Sequence, residues 1–200
     1  GRALLLQARP FAYWPDKSIK MAVAAFPADV TANGSTSYRF EAGTAVKAAP
    51  SSAGLELKES AESITVNTGA IEVTLSKTQG TLLERVARDG KIVKADGQRW
   101  DLAFLDESGR ELRSSGATVA ATEIIERGPN RALIVRKGGF ADAAGGLIDY
   151  RIQTELYAGS DAVRFQVFMV NREDTAEIYL RRWSMDLGLA DAPDGRLWIS

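Results

Sequence analysis

Five side chains of this sequence have the types and spacing to hold a carbohydrate: Tyr13, Trp14, Arg181, Arg182 and Trp183. Aromatic faces stack on the C–H faces of sugar rings, and a guanidinium can grip a carboxylate through two parallel hydrogen bonds. Tyr13 and Trp14 approach a Pro15-Asp16 turn. Proline presets the first corner of such a turn and the aspartate bonds to backbone just beyond it. Each group also has a plain structural role. Large aromatics favour burial, so the expected place of Tyr13 and Trp14 is a packed corner over a core. Surface arginines usually pair with a Glu or Asp on a neighbouring strand. Lys17 is expected to be solvated, in a turn position that would suit glycine.

Other chemistries are excluded by what the chain lacks. It contains no His and no Cys. A Ser-His-Asp triad, a histidine base, a thiol nucleophile, a disulfide and a His- or Cys-ligated zinc are therefore impossible within it. Acid–base work would fall to carboxylates, Lys, Arg or Tyr, with Tyr157 and Tyr179 among the candidates. A tyrosine base would need its pKa brought far below about 10. No cofactor is called for. Of metals, only a hard, oxygen-liganded ion such as calcium remains open, and no loop has the spaced acidic pattern of a helix-loop-helix calcium site. Asn33-Gly34-Ser35 fits a glycosylation acceptor, but Asn-Gly is first a turn signal.

Composition bounds the partners. The 200 residues are 45% hydrophobic, enough to build a sizeable core, and the net charge is −1 from 25 basic and 26 acidic side chains. That balance argues against a nucleic-acid-coating surface. No apolar run approaches the roughly 20 residues that cross a bilayer, so no membrane insertion is expected. Gly1-Arg2 reads as a processed end.

The elements that position these groups are strands. Ile148, Tyr150, Ile152 and Leu156 alternate with Asp149, Arg151, Gln153 and Glu155, a period of two that marks a half-buried strand. Val163, Phe165, Val167 and Met169 repeat the pattern, and a third strand follows from Glu177, the three reading as an antiparallel meander. Ile64 and Val66, then Ile71, Val73 and Leu75, form an earlier pair. Asp89-Gly90 and Gly128-Pro129-Asn130 read as hairpin turns, although Leu82, Leu83 and Val86 also fit one helical turn. The apolar side falls on even positions at Ile178 and Leu180 but on odd ones at Trp183, Met185 and Leu187. A β-bulge at the two arginines accounts for the switch. Helices should be few and short. The small, turn-rich residues 42–54 are a candidate internal seam. Pro193-Asp194-Gly195 is a turn, and the strand that Trp198 begins reads as part of something longer.

In order along the chain, four stretches resemble exo-acting rhamnogalacturonan lyase-like proteins. They are residues 11–20 with their Trp-Pro-Asp-x-Ser centre, residues 67–90, residues 125–132 from Ile125 to Ala132, and residues 150–167 with Tyr157-Ala158-Gly159-Ser160-Asp161. The resemblance implies an N-terminal RIFT-barrel β-domain, a central β-sandwich and a large helical toroid associated with the lyase chemistry. It also implies an exported protein, periplasmic or extracellular. On that resemblance this chain falls in the family's N-terminal RIFT-barrel β-domain region, and the expectation is an all-β, antiparallel barrel or sandwich (RIFT-barrel-like), a single module over 1–200 of a longer multidomain protein. It would be non-catalytic, with the remaining domains of its parent and a poly- or oligosaccharide as partners. The alternatives are a carbohydrate-binding module for acidic sugars and a purely architectural interaction domain.

Overall fold

The computed structural model describes residues 3–43, 45–47, 54–94, 100–142, 145–171 and 180–188. The third strand's start at Glu177, Tyr179, the last turn and Trp198 lie outside these residues, as do positions 44 and 48–53 of the candidate seam. Among the described residues there is no α-helix; one short 3-10 turn spans Ser114–Gly116.

Alternation predicts the strands well. β1 (Gln7–Tyr13) and β2 (Ile19–Ala25) form a two-stranded ribbon. β3 (Glu56–Glu59), β4 (Ser63–Asn67), β5 (Glu72–Ser76), β6 (Arg85–Arg88) and β7 (Lys91–Lys94) form a five-stranded sheet in chain order. β8 (Trp100–Asp106) and β9 (Glu111–Arg113) pair with each other. β10 (Thr118–Arg127), β11 (Arg131–Asp142), β12 (Gly145–Tyr157) and β13 (Val163–Asn171) build the longest sheet. β14 (Leu180–Leu187) then leaves that sheet and pairs with β8. The meander therefore stops at β13. The apolar side of β14 decides this: Trp183, Met185 and Leu187 stand opposite Phe104, Leu102 and Trp100, so the strand completes the face of the β8 sheet.

The long sheet is one layer of a sandwich, and the two shorter sheets share the other. Ala132, Ile134 and Leu156 meet Ile64, Val66, Val73 and Leu75 of the five-stranded sheet in one apolar cluster. Phe140, Ile148, Tyr150 and Ile152 meet Leu102 and Phe104 of the β8 sheet in a second. Phe104 and Phe140 pack edge to face with centroids 4.7 Å apart. Each buried Ile, Leu or Phe contributes about 1.5–3 kcal/mol, so these two clusters carry most of the stability. Of barrel and sandwich, the sandwich is what forms: the inward residues of one open sheet face two others, and no described sheet closes on itself.

The turns obey local chemistry. Asp89 and Gly90 both have positive φ, 49° and 73°, as the mirror-image turn between β6 and β7 requires. Leu82 and Leu83 are not helical. They lie in the connection from β5 to β6, and the two adjacent side chains enter different clusters, Leu82 the second and Leu83 the first. The same connection ties the two short sheets together. Leu82 N–H donates to Trp100 O at 2.7 Å, and the Thr81 hydroxyl donates to Trp100 O at 3.0 Å.

Arg136 closes this joint from the other layer. It sits on the inward face of β11, in step with Ala132 and Ile134, and is only 1% exposed. Its Nη1 donates to Thr81 O at 2.6 Å and its Nη2 to Leu82 O at 2.7 Å. Gly80 lies just before them. A Cβ there would stand 2.2 Å from Ser114 O and 2.6 Å from the Tyr150 hydroxyl oxygen, so the loop backbone touches both layers directly.

Two substitutions measure the joint. Gly80→Ala should destabilise the chain by about 2 kcal/mol through overpacking. Arg136→Met should cost about 3 kcal/mol, because two buried carbonyls lose their donors. Urea unfolding curves check both; losses under about 0.5 kcal/mol for the pair would show that the joint is dispensable.

Candidate functional site

The Pro15-Asp16 turn forms as its residues dictate. Asp16 Oδ1 accepts from the Ser18 N–H at 2.9 Å and from the Ser18 hydroxyl at 2.6 Å. Those bonds, the hydroxyl first, lower the Asp16 pKa below its ordinary value. Trp14 N–H donates to Ser18 O, and Lys17 N–H to Trp14 O, both at 2.9 Å. Lys17 adopts φ 66°, a left-handed conformation that glycine takes more readily.

The turn does not pack as a corner. Tyr13 is 57% and Trp14 52% exposed among the described residues, at the end of a two-stranded ribbon. Lys20 Nζ lies 4.5 Å from the Trp14 ring centroid, a cation–π contact on one face of the indole. The ribbon is held at its other end. Gln7 donates to Glu126 Oε2 and to Arg131 O, both at 2.9 Å, while Arg9 Nε donates to Glu126 Oε1 at 2.9 Å. Asn130, in the turn between β10 and β11, donates its side-chain amide to Leu5 O at 2.7 Å and Ala25 O at 3.0 Å. The Glu126 side chain is 4% exposed and also faces Arg131 at 3.4 Å. A buried carboxylate between two arginines offsets its desolvation only because its hydrogen bonds are complete.

The second group stands on β14. The register slips between Leu180 and Arg182, which makes Arg181 the extra residue of the bulge that the change of apolar face predicts. Arg181, Arg182 and Trp183 are all exposed. Arg182 does pair across the sheet, donating to Glu111 Oε1 at 3.0 Å. Glu111 also accepts from Arg113 at 3.1 Å, and Arg113 Nη1 donates to Asp186 Oδ2 at 2.7 Å. Asp186 stands opposite Asp101 in register; Arg113, 3.9 Å from Asp101 Oδ2, lies between the two like charges. The Arg113 hydrogen bond is the main reason that the Asp186 pKa lies below its ordinary value.

The two aromatic groups stand on different sheets, Tyr13 and Trp14 at the end of the β1–β2 ribbon and Trp183 on β14. Tyr157 is also committed. Its hydroxyl donates to Glu155 Oε2 at 2.6 Å, and burial, then that bond, push its pKa up, away from what a base needs. Half-exposed Trp14 and Trp183 count against a purely architectural role. Asn33 lies exposed in a turn with φ 59°. The groups that sequence reasoning missed are Arg136, Glu126 and the Arg113–Asp186 link. Arg136 alone left a readable signal, a charge at an even position among apolar even neighbours on β11.

Two facing layers of antiparallel strands, with open edges and two apolar clusters between them, make residues 55–188 a β-sandwich domain. Residues 55–189 match the family model described as the PcRGLX-like protein central beta sandwich domain. The chain belongs to this rhamnogalacturonan lyase-like family. No curated protein matches the chain.

The Arg113–Asp186 link makes an acid-sensitive fastening of β14. A carboxylate with a depressed folded pKa contributes stability that is present above the unfolded value, near 3.8, and lost as pH falls through the folded one. Asp186→Asn should flatten that part of the acid limb. Denaturant melts repeated between neutral pH and pH about 2.5 check it; an unchanged limb in the variant would place the acid sensitivity elsewhere.

Proposed function

We propose that this chain is a non-catalytic β-module of a polysaccharide-processing, exo-rhamnogalacturonan-lyase-like protein. It supports the fold of a catalytic helical toroid outside these residues and the access of substrate to it. The observation that carries this reading is how the charged and phenolic groups are engaged. Arg136 holds backbone carbonyls, Glu126 fastens the ribbon, Arg113 fastens β14, and the Tyr157 proton is held on Glu155. The three charged groups join elements of the scaffold and the phenol is engaged within β12, whereas a β-elimination needs a base free to take a proton from carbon. The purified chain, given pectic rhamnogalacturonan, should generate no absorbance from unsaturated uronate; its appearance would overturn the reading.

A second reading is favoured by one observation, the exposure of Tyr13, Trp14 and Trp183 beside cationic side chains. In it the module binds acidic sugars, with an indole or phenol face stacking on the ring and Arg181 or Arg182 meeting a carboxylate. Calorimetric titration with acidic oligosaccharides should then show binding that falls about tenfold or more in the Trp14→Ala, Arg182→Ala double variant. Equal binding by the variant and the parent chain would remove this reading.

A further inference from the structure

The seam between the two apolar clusters holds an unusual set of groups. Arg136 uses Nη1 and Nη2 on carbonyls, but its Nε has no partner. The hydroxyl of Tyr150, a residue 2% exposed on the neighbouring strand, has none either. The buried hydroxyl of Thr122 is likewise unpartnered, and Thr122 stands directly across from Arg136 in the β10–β11 register. Buried polar groups in folded proteins nearly always find a partner. These three can all donate.

The charge is equally incomplete. The partners that Arg136 holds are neutral backbone carbonyls, those of Ser76, Thr81 and Leu82. Burial lowers its pKa to about 10, so it is still a cation at neutral pH, and burial pushes the Tyr150 pKa up, so the phenol keeps its proton. A cation held only by neutral dipoles in a low-dielectric core leaves a desolvation cost that an adjacent negative charge would offset. The partner of this seam must accept hydrogen bonds, carry negative charge and be small, since Ser114 O and the Gly80 backbone close in on the Tyr150 hydroxyl.

We propose that Arg136 Nε and Tyr150 Oη, with the hydroxyl of Thr122 across the β10–β11 register from Arg136, bind a monatomic anion of the chloride class inside the sandwich. Arg136 and Tyr150 are both buried, so the anion acts on the fold and not on a substrate. Replacing sodium gluconate with sodium bromide at fixed ionic strength should raise the Tm of the chain, because a ligand of the native state stabilises it by mass action. The apparent bromide affinity should fall about tenfold in Tyr150→Phe, the loss expected for one hydrogen bond to an ion. Thr122→Val provides the same comparison should Tyr150→Phe fail to fold. Crystals grown in bromide should show an anomalous peak within hydrogen-bond distance of both Arg136 Nε and Tyr150 Oη. A bromide response retained in full by the folded variants overturns the proposal. So does density at that point without anomalous signal, which would be an ordered water.

Discussion

One buried guanidinium holds this fold together. Arg136 reaches from the long sheet to the carbonyls of Thr81 and Leu82, in the one connection that also bonds to Trp100 at the start of β8. Three sheets therefore meet at one side chain. A leucine in its place would fill space but leave two carbonyls without donors in the core. Its bonds to fixed backbone carbonyls offset part of the cost of burying the charge, and the planar guanidinium loses less freedom per hydrogen bond than a lysine would.

The layering follows from this joint. Each short sheet buries its own apolar cluster against the long one, and neither cluster alone spans the length of β11 and β12. The polar seam lies where the second layer passes from one short sheet to the other. It is bridged where Gly80 admits backbone against backbone, which any side chain would block.

Much of this was legible in the residues. Ile148, Tyr150, Ile152 and Leu156 announced their strand by alternation, Asp89-Gly90 its hairpin, and the change of apolar face at Arg181 its bulge. Those signals are local, and local chemistry settled them. The meander failed at β14 because sheet membership depends on which distant strand offers a matching face, and Phe104 and Leu102 offered it from some eighty positions earlier. The corner at Tyr13 and Trp14 failed for a related reason: whether an aromatic is buried depends on which distant segment packs on it, and among the described residues both stay more than half exposed. Lys17, out of place for its turn on paper, does sit at positive φ. The ion pairs that fasten the ribbon and β14 left no pattern at all, because Arg9 and Glu126 are neighbours only after folding.

The adjacent Leu82 and Leu83 carry a consequence of their own. These two consecutive side chains lie in a bent connection, and each enters a different apolar cluster. Neither cluster can loosen without dragging on the same two residues. The two halves of the sandwich should accordingly open and exchange their amide protons as a single cooperative unit, with the loop, ordinarily the first part of a domain to fray, among the last to let go.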